Sequence, residues 1–426
     1  MQIVENDKIK EKVCIEKLEN GLTIMVFPKK TRKKFIIWSA GFGSIDNKFY
    51  ANDEDKLTVL PDGIAHYLEH KLFEQENGKN SLDVLTTIGV DANAFTTNDH
   101  TAYLFECTEN FDEALVEFMD YVQNPYFTDE NVEKERGIIE QEIMMYNDYP
   151  EWVLYMNLMK AMYKDNEINI DVAGTKETIA NIDKEKLYKI YNSFYVPENM
   201  ILVVCGDFNP EEIIEKLKSM ITMKGGNFNT KRVYNSEQEE IVEKYIEQEM
   251  DISMPLLMIG YKDTNYSKEI TKRDLTMSIL ANIILSKSTE LYKNLYESGK
   301  IFTEPGFDYE YSKTFGHALI QIKTNFVQDV LKELESSIES LKTKGIGEEE
   351  FKRAKKRLYG DIVKDYNEVD SIASGLVEDY FIGEKPFECF EEFSKITKEY
   401  AQSILEEVFT ENKKVVSVIK PIKNRR

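Results

Sequence analysis

The sequence predicts an α+β fold of two similar units, each an α/β roll in which an antiparallel-rich sheet is flanked by helices. Three observations lead to this prediction. The chain has 426 residues, which is long for a single hydrophobic core. Strand-like and helix-like stretches follow one another within each half, and the second half repeats the plan of the first. Hydrophobic residues make up 42% of the chain, enough to fill two sizeable cores.

The elements of the first half follow from local patterns. The stretches LTIMVF and KFIIWSAGFGS within residues 21–43 are rich in β-branched and aromatic residues, and they predict two paired strands. Asp62 and Gly63 precede the sequence HYLEH and suit the start of a helix. DANAFTTNDHTAYLFECT alternates in polarity and predicts another strand pair. FDEALVEFMDYVQNP and the stretch from about Asp129 to Tyr163 predict helices.

The second half shows the internal repeat. PLLMIGYKD resembles a strand, DLTMSILANIIL a buried helix, and FGHALIQIKTN a strand that leads into further helices, as in the first half. Residues 223–240 are rich in Gly, Asn and charge and have little periodicity, which predicts a linker. We therefore predict an N-terminal domain at 1–222, a linker at 223–240 and a C-terminal domain at 241–426.

Composition narrows the functional class. The formal net charge of -23 argues against a nucleic-acid partner, because binding phosphate needs clustered Lys and Arg. The four cysteines are scattered, and the N-terminal residues lack the apolar core of a signal peptide. No apolar run is long enough to cross a membrane. We expect a cytoplasmic protein with reduced cysteines.

The sequence HYLEH carries the strongest chemical signal. His66, Glu69 and His70 lie at positions that share one face of a helix, so two imidazoles and one carboxylate can converge on one point. The pattern H-x-x-E-H reverses the H-E-x-x-H of thermolysin-type enzymes but keeps the same parts, two zinc ligands and one general base. The spacing predicts a zinc hydrolase.

A third protein ligand is needed, because a zinc hydrolase keeps one of four positions for water. Within EKERGIIEQEI, Glu135 and Glu142 are seven residues apart and share a helix face, alongside the apolar Ile138 and Ile139. Spacing alone leaves open whether Glu142 is a zinc ligand or a residue of a solvated face.

Four segments together resemble a known family. HYLEH, the distant ERGIIEQE, NAFTTNDHTAY and NMILVVCGDF are similar to those of the M16 (pitrilysin, insulinase-like) zinc metallopeptidases, the inverzincins. The likeness covers nearly the whole chain and is greatest to the short, processing-peptidase-like bacterial branch, whose motif reads GIAHxLEHKLFE. The resemblance implies that His66, His70 and Glu142 bind Zn²⁺, that Glu69 is the catalytic base, and that Glu135 is an acid beside the metal that assists catalysis.

The resemblance also concerns substrate binding. Asn93, Ala94 and Phe95 resemble the edge strand beside the zinc of family members, where an extended peptide is held by main-chain hydrogen bonds. One family feature is missing. Many members carry an arginine and a tyrosine in the second half that clamp the substrate carbonyl, but here Tyr296 and Thr303 stand at those positions, and no arginine occurs from residue 274 to 352.

The sequence therefore predicts a zinc-dependent endopeptidase that cleaves short or unfolded peptides in an enclosed chamber. We expect the N-terminal domain to be catalytic and the C-terminal domain to lack zinc ligands. The missing clamp favours a heterodimer with a zinc-free M16 subunit over a homodimer. Two alternatives stay open: a non-catalytic scaffold or assembly subunit, and a dedicated leader-peptide maturation protease.

Overall fold

The computed structural model describes residues 1–52, 54–226 and 228–422. Its strands, in chain order, are β1 (Gln2–Asn6), β2 (Glu11–Lys17), β3 (Thr23–Pro28), β4 (Lys34–Ala40), β5 (Lys48–Tyr50), β6 (Leu57–Val59), β7 (Asp91–Thr96), β8 (Thr101–Cys107), β9 (Met200–Gly206), β10 (Lys231–Arg232), β11 (Tyr245–Met250), β12 (Leu256–Lys262), β13 (Gly306–Tyr311), β14 (Gly316–Lys323) and β15 (Lys414–Pro421).

The helices fall between β6 and β15 along the chain. In chain order they are α1 (Ile64–Leu72), α2 (Ser81–Thr87), α3 (Phe111–Gln123), α4 (Asp129–Asn147), α5 (Pro150–Met162), α6 (Lys176–Ile179), α7 (Lys184–Phe194), α8 (Pro210–Met220), α9 (Ile270–Leu285), α10 (Glu290–Glu297), α11 (Val327–Lys344), α12 (Glu348–Asp365), α13 (Val369–Ile382), α14 (Glu388–Lys395) and α15 (Lys398–Val408). Two short 3-10 helices cover Glu167–Asn169 and Pro197–Asn199.

The chain divides into two compact units. Unit 1 consists of residues 1–143, 171–234 and 363–386, and unit 2 of residues 144–170, 235–362 and 387–426. The domains predicted from sequence are consecutive, whereas α5 belongs to unit 2 and α13 to unit 1. The apolar face of each helix explains this difference. Buried side chains of α5 pack with those of β12 and β15, and α13 packs on β9 and β4.

The two units repeat one sheet topology, which confirms the predicted fold class. In unit 1 the strands lie in the order β3-β9-β4-β8-β7, and in unit 2 in the order β11-β15-β12-β14-β13. The first pair in each series is parallel and the other pairs are antiparallel. Unit 1 extends its series with β2 and β1, and it also contains a small sheet of order β10-β5-β6.

One predicted strand pairing is wrong. β3 and β4 do not pair with each other, because β9 lies between them, parallel to β3 and antiparallel to β4. All seven residues of β9 are buried, so this strand takes the centre of the sheet although it comes 160 residues after β4 in the chain. Local patterns show where strands begin and end but not which strand is inserted between them.

Part of the predicted linker is packed against the rest of unit 1. The main chain of β10 pairs with β5, and the Arg232 guanidinium lies 3.0 Å from the Asp46 carboxylate. The side-chain amide of Asn20 donates to the Met223 carbonyl at 3.0 Å. The first part of the segment therefore belongs to unit 1, up to Tyr234, where the division between the units falls.

Candidate metal centre

Helix α1 is fixed by its first turn and by its apolar face. Gly63 precedes the helix with φ of 88°, and a Cβ there would lie 2.4 Å from the Ala173 carbonyl oxygen. Glycine meets both demands, the left-handed backbone and the close approach. Buried apolar residues of α1, among them Ile64, Leu68 and Leu72, pack into the core of unit 1. The helix predicted from HYLEH is thus present and its orientation is set.

Helix α4 lies against α1 and presents its two glutamates to it. The hydroxyl of Tyr67, a fully buried residue of α1, donates to the Val132 carbonyl of α4. Ile139 and Ile143 are buried, whereas Ile138 is 48% exposed. The prediction that Ile138 shares an inward-facing stripe with the glutamates is therefore wrong, because only the flank of α4 that carries Ile139 reaches the core.

The structure brings the predicted metal ligands together. The Nε2 atom of His66 lies 3.7 Å from Oε1 of Glu142, and Nε2 of His70 lies 3.4 Å from Oε2 of the same carboxylate. Ligands about 2.0–2.2 Å from a tetrahedral zinc ion are about 3.3–3.6 Å apart, so these spacings suit one shared ion. Among the described residues, the ligand atoms of His66, Glu69 and His70 also lie within 4.8 Å of one another, so the Glu69 carboxylate is close to the same point.

Glu135 orients one of the histidines. Its Oε1 lies 3.1 Å from Nδ1 of His70, so a proton on Nδ1 leaves the Nε2 lone pair directed at Glu142. Burial alone would raise the pKa of Glu135, but the hydrogen bond with His70 lowers it. Lys71, whose side chain is fully buried, lies 2.6 Å from Glu74 and 4.0 Å from Glu135. The sequence did not single out Lys71, and nothing in its spacing marks it.

The electrostatics of the two histidines favour a cation between them. Burial and the neighbouring His70 lower the pKa of His66 to about 4, which keeps its ring neutral. Burial alone would also lower the pKa of His70, but Glu135 and Glu142 raise it to about 10. The buried Nδ1 of His66 has no hydrogen-bond partner among the described residues. Two imidazoles, a shared carboxylate and a local preference for positive charge fit a zinc ion.

Glu69 lies beside this group but makes a different contact. Only 7% of the residue is exposed, and its Oε2 accepts a hydrogen bond of 2.5 Å from the Thr96 hydroxyl. Burial raises the pKa of Glu69 to about 7. Sequence reasoning missed Thr96. The available signal was the alternation in β7, which places Ala94 and Thr96 on the same face of the strand.

The strand β7 places the predicted substrate-binding residues at the edge of the large sheet. Asn93, Ala94 and Phe95 pair with Leu104, Tyr103 and Ala102 of β8, and β7 has no second partner strand in the described sheet. The strand contacts α1. An edge strand leaves alternate main-chain groups free to pair with an added strand.

The other two histidines are structural. His317 is fully buried, and its ring nitrogens lie 3.0 Å from the Tyr163 hydroxyl and 3.1 Å from the Glu310 carboxylate. His100 is buried against the ring of Phe381, with 5.2 Å between ring centroids. Neither lies in the metal-binding group.

The two positions that correspond to the family clamp hold no arginine in this chain. Tyr296, on α10, and Thr303 are exposed. Arg273 is 2% exposed, and both Nε and Nη2 donate to the Asp263 carboxylate. An arginine committed to a buried bidentate ion pair is not available to a substrate carbonyl.

The chain matches two protein-family models. The model described as Insulinase (Peptidase family M16) matches residues 56–176, and the one described as Peptidase M16 inactive domain matches residues 181–358. None of the helices in the described residues has the length and apolar character that a bilayer span requires.

Individual relatives extend over the whole chain. The uncharacterized zinc protease YmfH of Bacillus subtilis (strain 168) is 36% identical over 424 residues, which cover 98% of this chain and 99% of YmfH. The structure of an M16-like peptidase from Alicyclobacillus acidocaldarius is similar with a TM-score of 0.92 and 30% identity, over 98% of this chain and 99% of that one. A protease from Helicobacter pylori shares the fold, with a TM-score of 0.81 and 20% identity over 96% and 100% of the two chains.

Proposed function

This chain belongs to the insulinase family of peptidases, M16, and we propose that it is a zinc-dependent endopeptidase in which His66, His70 and Glu142 hold the metal. One observation carries the assignment of ligands. The two carboxylate oxygens of Glu142 each face the Nε2 atom of one histidine, at 3.7 and 3.4 Å. Glu69 faces Thr96 instead, which supports its separate role as a base.

The chemistry divides between the metal and the carboxylates. Zinc held by these residues supplies a Lewis acid that polarises the peptide carbonyl and lowers the pKa of water. Glu69 accepts a proton from water as the water oxygen attacks the carbonyl carbon, and it then delivers that proton to the leaving amine. Burial raises the pKa of Glu69, which favours uptake of a proton by its carboxylate. Glu135 assists by holding the His70 ring.

The edge strand β7 suits an extended peptide. We propose that the main chain of Asn93, Ala94 and Phe95 adds the substrate as a further strand beside α1. Pairing through the main chain requires an unfolded, extended substrate segment, but it places few requirements on the side chains of that segment. The substrates we propose are therefore short or unfolded peptides, enclosed during cleavage.

The missing clamp suggests a second subunit. We propose that the chain is the zinc-carrying subunit of a heterodimer and that a zinc-free M16 protein supplies the arginine and tyrosine. The exposed Tyr296 and Thr303 and the buried Arg273 support this proposal, because none of them can replace the arginine. The free cysteines, three of them buried, support a reducing compartment, and we propose the cytoplasm.

Two other functions are less well supported. A scaffold subunit would have no need for a complete set of zinc ligands, a base and an orienting carboxylate. A leader-peptide maturation protease would use the same chemistry on a narrower substrate. A cleavage profile on an unbiased peptide library separates the two peptidase functions, since a maturation protease would cut one motif.

The substitution Glu69→Gln tests the proposed function. The amide cannot accept the proton of water, so we expect peptide cleavage to fall by at least about 100-fold while zinc stays near one ion per chain. Zinc is measured by elemental analysis and cleavage with a peptide that the wild type cuts. Glu76→Gln, at an exposed carboxylate, is the matched control and should behave as wild type. Comparable turnover by Glu69→Gln would remove Glu69 from the mechanism.

A further inference from the structure

The Thr96 hydroxyl lies between the Glu69 carboxylate and the Thr101 hydroxyl. It is 2.5 Å from Oε2 of Glu69 and 3.3 Å from the hydroxyl of Thr101. The Thr101 hydroxyl donates to the Phe42 carbonyl at 2.8 Å and is fully buried. Glu69 therefore faces a short chain of hydroxyl groups on its inner side.

The chain of hydroxyls continues into the core. The Tyr195 hydroxyl is hydrogen-bonded to Thr101 and lies 3.1 Å from the Tyr103 hydroxyl. Both tyrosines are almost completely buried. Hydroxyl groups can donate or accept, and the direction of each hydrogen bond in such a chain can reverse without moving a heavy atom.

The loop at residues 43–45, outside β7, holds the backbone that follows Thr96 in place. Main-chain N–H groups of Ser44 and Ile45 donate to the carbonyls of Thr97 and Asn98 at 3.0 and 3.1 Å. A Cβ at Gly43 would lie 2.3 Å from the Asn98 carbonyl carbon, so this loop packs directly on the turn between β7 and β8. The turn cannot shift easily, and the position of the Thr96 hydroxyl is correspondingly defined.

We propose that Thr96 is a positioning residue for the general base, and that its hydroxyl holds the Glu69 carboxylate in both protonation states. This inference rests on the proposed peptidase function. When Glu69 is ionised, the Thr96 hydroxyl donates to Oε2. After Glu69 has taken a proton from water on its other carboxylate oxygen, Oε2 is the carbonyl oxygen of the acid and still accepts the Thr96 hydrogen bond, so the protonated oxygen stays directed at the leaving amine. No covalent bond of threonine is made or broken.

A threonine in a strand also has an ordinary structural explanation, and the experiment must distinguish it from the proposed positioning of Glu69. β-branched residues favour strands, so Thr96 could serve only to form β7. Valine has the same shape and the same strand preference but no hydroxyl, and serine keeps the hydroxyl but loses the methyl. The pair Thr96→Val and Thr96→Ser therefore distinguishes the hydroxyl from the shape of the side chain.

The expected results are these. Thr96→Val should lower kcat by about 10- to 100-fold, the range found for groups that orient active-site side chains. Its KM should change by less than about 2-fold, and its zinc content and Tm should match the wild type, because the hydroxyl touches neither metal nor substrate. Thr96→Ser should keep kcat within about 3-fold. Thr58→Val in β6 is the matched control and should be silent.

A crystal structure of each variant gives a readout that is independent of activity. We expect the Glu69 carboxylate to leave its position in Thr96→Val and to keep it in Thr96→Ser. Unchanged kcat in Thr96→Val, an equal loss in Thr96→Ser, or an unmoved Glu69 in the valine variant would each overturn the inference. If the wild-type protein with zinc cleaves no peptide, the proposed function fails, and the crystal structures then decide the role of Thr96 separately.

Discussion

At the scale of single residues, the site depends on how each carboxylate is oriented. Glu142 bridges both histidines, Glu135 holds only His70, and Glu69 is turned toward Thr96. Three glutamates of one site thus receive three different roles from their neighbours. The identity of the partner atom decides the role, because the chemical group is the same in each case.

The role of Glu142 can be tested within its own helix. Glu142→Ala removes the oxygens that face both Nε2 atoms, so we expect zinc to fall well below one ion per chain in elemental analysis after dialysis against a weak chelator. Glu140→Ala, two residues earlier on α4, removes a carboxylate that points away from the histidines and should keep full zinc. Full zinc in Glu142→Ala would contradict the ligand assignment.

A second residue-scale prediction concerns acid stability in unit 2. Glu237 accepts main-chain N–H groups of Lys164, Asp165 and Asn166 at 3.2, 2.8 and 2.7 Å, and it pairs with Lys262 at 2.8 Å. Burial alone would raise the pKa of Glu237, but these hydrogen bonds lower it below its usual 4.5. Its stabilisation is therefore complete above pH 4.5 and is lost as the pH falls through the lower folded-state pKa.

The measurement is the free energy of unfolding between pH 7 and pH 3. Glu237→Gln should lose about 1–3 kcal/mol at pH 7, because several donors lose a charged acceptor. Its decline in acid should be shallower than that of the wild type. Glu239→Gln, at an exposed carboxylate of the same segment, is the control. Parallel pH profiles for wild type and Glu237→Gln would show that Glu237 does not contribute in this way.

The zinc-site residues were accessible to sequence reasoning for a physical reason. The helical period of 3.6 residues fixes which positions share a face, so His66, His70 and Glu69 can be grouped without knowing the fold. Thr96 and Lys71 could not be found in this way, because they meet the site through strand pairing and core packing. Their partners are 27 and 64 residues distant in the chain.

At the scale of elements, local patterns located strands and helices but not their neighbours. The strands β7 and β8, the helix α1 and the helix α3 lie where the sequence predicts them. The stretch predicted as one long helix region is divided before Pro150, because a residue that precedes proline avoids the helical conformation. The insertion of β9 and the exchange of α5 and α13 between the units depend on contacts that no local window contains.

Helix α4 offers an element-scale prediction. Gly137 is exposed in the middle of this helix, and a Cβ there would meet nothing within 4 Å. Gly137→Ala should raise the free energy of unfolding by about 0.5–1 kcal/mol, because alanine loses less conformational entropy in a helix. Urea unfolding checks this, and zinc content should stay unchanged. Gly63→Ala is the contrasting variant and should destabilise the protein, since φ is 88° and the new Cβ would meet the Ala173 carbonyl. A loss of stability in Gly137→Ala would contradict the prediction.

At the scale of the whole molecule, the two units of the internal repeat share a strand order but differ in what their polar residues do. Both units have the same strand order, but the described metal-binding group belongs to unit 1 alone. In unit 2, Asp263 and Arg273 form a buried bidentate ion pair instead, joined by the Tyr309 hydroxyl at 2.7 Å from Asp263. Unit 2 thus keeps the topology of the repeat while its polar residues satisfy one another. The match to the model described as an inactive domain covers residues 181–358, of which 235–358 lie in unit 2.

The last prediction concerns the protein as a working enzyme. If a partner supplies the clamp, the purified chain should bind zinc but cleave peptides slowly, since donors that stabilise the developing oxyanion are each worth about 100- to 1,000-fold in kcat. A zinc-free M16 protein from the same genome that carries the arginine and tyrosine should raise the rate by about that factor when the two are mixed.

The control is the same partner with its arginine replaced by alanine, which should still associate with the chain but fail to raise the rate. Size-exclusion chromatography with light scattering measures that association independently of activity. A homodimer would bring two zinc sites and two copies of the exposed Tyr296 and Thr303, but no arginine from residues 274 to 352. Self-association alone should therefore leave the rate low. High specific activity of the chain by itself, with mass spectrometry excluding a copurified partner, would show that unit 1 needs no clamp from a second protein.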